Sequence, residues 1–153
     1  MLGSLITAIT TFFYRKQDEQ KNIKEQCSIL AMKIDSLLKE IGEGLDMIKN
    51  GPNDPPKLLP ERKWREEPIT NKDVSIISAV SKSDKDKTVD FPPIDIKDCC
   101  ENYYENITKH WQKISAFSSS LREDKENIQK DIEETKKLID MLKKTKALLE
   151  KNS

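Results

Sequence analysis

Residues 23–48 read IKEQCSILAMKIDSLLKEIGEGLDMI. Apolar side chains stand at Ile23, Cys27, Leu30, Ile34, Leu37 and Ile41, in steps alternating four and three, and at Ile48 one heptad later. That alternation keeps one stripe on one side of an α-helix, the pattern of a heptad seam. With Cys27, Ile34, Ile41 and Ile48 at position a, position d holds Ile23, Leu30, Leu37 and Gly44.

Run backwards, the same register puts Ile6 and Phe13 at a, and Leu2 and Ile9 at d. Only Lys16 and Gln20 interrupt it. The phase match predicts one helix from about residue 3 to 49, roughly 70 Å long at 1.5 Å per residue. Asn50-Gly51-Pro52 ends it, because Gly suits a left-handed cap and Pro cannot continue a helix. Gly42 and Gly44 loosen its last turns, or let a neighbour approach closely.

Leu2 to Tyr14 carry no charge, and Arg15-Lys16 follow at once. Leu2, Leu5, Ile6, Ile9, Phe12 and Phe13 form a bulky stripe, with Gly3, Ser4, Thr7, Ala8 and Thr11 on the other side. Three readings fit. The stripe continues the bundle seam; or it lies in a membrane surface with Arg15 and Lys16 at the headgroups; or it makes a short tilted span packed on a second copy. A span ordinarily needs about 20 apolar residues, against about 13 here. The flanks are not those of a secretory signal.

The seven prolines all fall in the connector, residues 51–94. Thr70 followed by Asp73 resembles a capping box, and Val74, Ile77 and Val80 recur at three. A short helix over 71–81 is the expectation, although Val74-Ser75-Ile76 would also open a strand. Trp64 sits among charges at Glu61–Glu67 and reads either as a docking anchor or as a pin holding the loop to the helices.

A second stripe starts after Pro92-Pro93, with Asp95 as N-cap, and runs Ile96, Cys100, Tyr103, Ile107, His110, Ile114, Phe117, Leu121. It continues at Ile128, Thr135, Leu142 and Leu149, with Leu138 at d. Ile132, Ile139 and Leu148 widen it, so this half faces more than one helix. A second long helix over 95–150 follows, with Ser118-Ser119-Ser120 as the place where it would break.

Charged residues make up 35% of the chain and apolar residues another 35%, a balance that suits elongated helices better than a compact core. Lys and Arg total 27 and Asp and Glu total 27, so there is no basic excess to neutralise phosphates, and nucleic acid is not an expected partner. Cys27, Cys99 and Cys100 read as reduced thiols of a reducing compartment. His110, the single histidine, has no partners at metal-ligand spacing and reads as a packing residue.

The expected protein is all-α: two long amphipathic helices, as coiled coil, hairpin or bundle, joined by a long Pro-rich loop. Its regions are 1–50, 51–94 and 95–150. No catalytic residue, metal, cofactor or small-molecule substrate is indicated. The function expected is that of a non-enzymatic assembly protein, a subunit or adaptor packing against itself or another helical chain. Ile23, Leu30, Ile34, Leu37, Ile41, Ile107, Ile114, Phe117, Leu121, Leu138 and Leu142 are the expected contact residues. The alternative is a membrane-anchored or membrane-active protein inserting residues 2–14. The expected location is the cytoplasm, free or on the cytosolic face of a membrane.

Overall fold

The fold comes from a computed structural model that describes the backbone of residues 2–50, 64, 66–115 and 124–153, and side chains at 22–49, 64, 66–109 and 128–153. The described residues form four α-helices and no strand: α1 (Leu2–Asn50), α2 (Asn71–Lys82), α3 (Ile94–Ser115) and α4 (Asp124–Lys151).

The short helix α2 is built by its cap. The Thr70 hydroxyl accepts from the Asp73 N–H at 3.2 Å, and the Thr70 N–H donates to Asp73 Oδ2 at 2.9 Å. Two donors that the helix end leaves open are thereby satisfied together. The same Oδ2 accepts from Lys33 Nζ at 2.6 Å, which ties the start of α2 to α1. Ile77 and Val80 then turn into the core, so the segment is helix rather than strand.

Helix α3 begins at Ile94, one residue before the Asp95 cap that the sequence suggests, and Asp95 lies within its first turn. Asp95 and Ile96 donate to the carbonyls of Pro92 and Pro93. Proline is well placed there, since a first-turn N–H has no helical acceptor anyway.

The second stripe is carried by two helices that fold back on one another. Lys144 of α4 reaches Asp90, just ahead of α3, and Lys151 at the end of α4 reaches Asp84 and Asp86 earlier still. Further along, Cys99 and Asn106 of α3 line one cleft with Lys137 and Asp131 of α4. Partners therefore run in opposite directions, so α3 and α4 are antiparallel. Ser118–Ser120, where a break was indicated, lies outside the described residues.

α4 is also antiparallel to α1: Lys146 bonds Asp35 at 2.8 Å, while Lys136, earlier in α4, lines one hollow with Asp46, later in α1. α1 and α3 meet at Gly44 and Tyr103. The buried residues of all four helices join in one cluster, from Cys27 through Ile69, Ile77 and Ile96 to Leu149. The low apolar content pointed away from such a core. It suffices because α4 covers α1 with one side of its widened stripe and α3 with the other.

Two threonines are buried in α4. Thr135 and Thr145 donate to the Asp131 and Met141 carbonyls at 2.6 and 2.8 Å, so neither hydroxyl costs an unpaired polar group.

Candidate functional site

The residues singled out as helix contacts divide by exposure. Leu30, Ile34, Leu37, Ile41, Ile107, Leu138 and Leu142 are buried by the chain's own helices. Ile23 is different: it is 44% exposed, because α1 outruns its neighbour there. With Asp35 opposite Lys146, α4 ends near residue 30 of α1. Leu2, Leu5, Ile6, Ile9, Phe12 and Phe13 fall on α1, and Ile114 on α3, but their side chains, like those of His110, Phe117 and Leu121, lie outside the described residues.

Between α1 and α3 lies an aromatic cluster. Trp64 stacks on Tyr104 with ring centroids 5.2 Å apart and planes 15° apart. Tyr104 meets Tyr103 edge to face at 4.9 Å. The Trp64 ring packs against the core and brings the connector to α3. Burial raises the pKa of both phenols, and the charge of Glu40 on α1 raises them further. The Tyr103 hydroxyl occupies the space that a Cβ on Gly44 would fill, so this close crossing requires glycine at 44.

Among the described residues, hollows open on two sides of α4. One, of about 260 Å³, separates α3 from α4, with Ile107, Leu138 and Met141 as its apolar floor and Cys99 at its wall. The other runs along the outside of α1 and α4, as stretches of 580 and 360 Å³ that share Leu38 and Lys143. Gly42 lies in it, and a Cβ there would touch nothing within 4 Å. The two glycines are thus unlike: Gly44 is enclosed, Gly42 open.

Ion pairs hold the rim of the outer hollow. The Lys146 ammonium, then that of Lys39, keeps the Asp35 carboxyl below its usual range. Asp35 in return raises Lys146. Exposed pairs of this kind hold position more than they add stability. The three thiols are free, Cys27 and Cys100 buried and Cys99 partly so. Burial pushes the Cys100 thiol up strongly.

Several of these features escape the heptad reading. Tyr104 falls beside the seam, and its burial brings together its neighbour Tyr103 and the distant Trp64, neither of which a heptad pattern marks as its partner. Ile69, 1% exposed, is an isolated apolar residue between Pro68 and Thr70, with no period to mark it. Comparison with protein-family models, curated proteins and solved structures finds no match to this chain. Among the described residues, no helix is long and apolar enough to cross a membrane.

Proposed function

We propose that this chain is a non-enzymatic helical assembly protein, a subunit or adaptor whose bundle presents the first half of α1 to a further helix. One observation carries the reading. α1 has 49 residues and α4 has 28, so about 73 Å of helix is laid against about 42 Å. The part of α1 beyond the bundle keeps its apolar register, with Leu2, Ile6, Ile9 and Phe13 in phase with the buried Cys27, Leu30 and Ile34. Helices in proteins gain most of their stability from packing such a face, so the overhang calls for a partner. The partner is a second helical chain, or another copy of this one.

The test compares the full chain with an Ile6→Ser, Ile9→Ser, Phe13→Ser triple variant. Chemical cross-linking and pull-down should capture a helical chain with the former and lose it with the latter, while circular dichroism shows the bundle intact. A full chain that stays monomeric and captures nothing ends the proposal.

A second reading rests on the uncharged run Leu2–Tyr14 and the Arg15-Lys16 that follows. Here the same segment lies in the surface of a membrane, with the bundle on its cytosolic face. Vesicle flotation of the full chain against one beginning at Gln17 separates the two. Equal flotation, or none in either, rejects the lipid reading.

A further inference from the structure

The seam of α1 is buried from Cys27 onward, where the rest of the bundle lies over it. α4 runs antiparallel to α1 on that side and ends near residue 30. Four residues before Cys27 the same seam is open, at the exposed Ile23. From Ile23 back to Ile6 the backbone of α1 stays helical. The register there holds Ile6, Phe13 and Gln20 at a, and Ile9, Lys16 and Ile23 at d. A helix laid along this arm continues the line of α4.

The bundle decides the direction of a second arm placed there. In a parallel pair the partner's α1 would run on past residue 27 into the side that α4 fills, and Lys16 would face Lys16. Like charges set opposite one another disfavour a contact. An antiparallel arm meets the bundle only end-on, beyond the last turn of α4, and keeps the direction that α4 has.

Burial then selects the register. In an antiparallel pair each a position faces a d position of the other chain. A two-fold axis between residues 14 and 15 sets Ile6 against Ile23, Ile9 against Gln20 and Phe13 against Lys16, each twice, as an isologous contact demands. These layers span about 27 Å of helix at 1.5 Å per residue. They stop short of Cys27, the first seam residue that the bundle buries. One heptad further along, Ile9 would need Cys27 and Ile6 would need Leu30, both already buried within the chain. One heptad back, Ile23 stays uncovered and Lys16 falls on Ile6. The intermediate register gives the one charged residue of the seam an aromatic ring, whose face attracts an ammonium.

We infer that the arm of α1 from Ile6 to Ile23 pairs with the same arm of a second copy, antiparallel, about a two-fold axis between residues 14 and 15. The inference rests on reading the chain as an assembly protein, and it names the partner, its direction and its register. Ile23 then has its cover, in Ile6 of the other copy.

Sedimentation equilibrium of the full chain tests it. The variants are Phe13→Glu, Phe13→Glu with Lys16→Glu, Ile23→Ser, and the Ile6→Ser, Ile9→Ser, Phe13→Ser triple variant, each checked for a folded bundle by circular dichroism and thermal melting. The native chain should dimerise. Phe13→Glu should stay within about tenfold of it, because the new carboxylate faces Lys16 of the other copy. Adding Lys16→Glu sets carboxylate on carboxylate and should weaken association by about a hundredfold or more. Ile23→Ser should weaken it by about tenfold, and the triple variant should be monomeric. Loss of the dimer in Phe13→Glu alone, or none in Ile23→Ser, rejects the register. A triple variant that still dimerises removes the arm as the surface, and the assembly reading with it. A native chain that stays monomeric but captures another helical chain rejects self-pairing and leaves that reading standing. One that stays monomeric and captures nothing ends both.

Discussion

The hydroxyl of Tyr103 on α3 stands where a side chain at Gly44 on α1 would begin. Gly44→Ala gains about 1 kcal/mol of helix propensity. It also pushes the phenol out of a filled space, and such overpacking costs roughly 1–3 kcal/mol. A net loss of about 1 kcal/mol should appear in urea unfolding, and adding Tyr103→Phe, which removes the clashing oxygen, should recover part of it. Gly44→Ala as stable as the native chain would show that α1 and α3 do not cross there.

Acid should weaken the clamp at the end of α4. Asp84 accepts from the Thr88 backbone N–H at 2.8 Å and from Lys151 at 3.1 Å, and these hold its carboxyl down to about 2. In the unfolded chain an aspartate titrates near about 3.9. The stabilisation is whole above that value and disappears as pH falls through it toward the folded pKa, because the unfolded chain takes the proton first. Asp84→Asn lacks this increment, so its urea midpoint should fall less steeply over the same range. Parallel curves for the two proteins would exclude the clamp.

The three thiols should react in a fixed order. Cys99 is partly exposed at the wall of the α3–α4 hollow, while Cys27 and Cys100 are each 0% exposed. A thiol reagent applied to the folded chain should label Cys99 first and the other two only as the bundle opens. Cys99→Ser should remove the fast phase and leave the slow one. Fast labelling of two thiols would contradict the packing of α1 or α3.

Alkali should act through the tyrosine pair. Burial, then the charge of Glu40, raises Tyr103 and Tyr104 well above the ordinary phenol value. Their contribution is complete below about pH 10, where unfolded tyrosine titrates, and is lost as pH rises beyond it. Tyrosinate absorbance should lag in the folded chain and jump on unfolding. Ordinary titration of all three tyrosines in the folded chain would refute the burial.

Core and surface positions of similar apolar character should separate sharply. Leu142 is 0% exposed, and Leu142→Ala should cost about 2–5 kcal/mol in chemical denaturation. Met32 is 70% exposed, and Met32→Ser should stay within about 0.5 kcal/mol. Similar losses at both sites would mean that Met32 is covered in solution.

The helical period, the Thr70–Asp73 cap and the stripe residues from Cys27 to Ile48 are local properties, and the order of residues alone determines them. A hydroxyl three residues from a carboxylate caps a helix wherever that helix lies. The antiparallel arrangement of α3 and α4 is different. The apolar phase runs from Cys100 to Leu149 without a slip, so periodicity is the same for one straight helix and for two antiparallel ones. Burial is non-directional, and the choice rests on contacts between remote parts of the chain, such as Asp35 with Lys146 across 111 positions. Tertiary structure likewise separates the two neighbouring glycines of α1, by setting Tyr103 against Gly44 and leaving open space over Gly42.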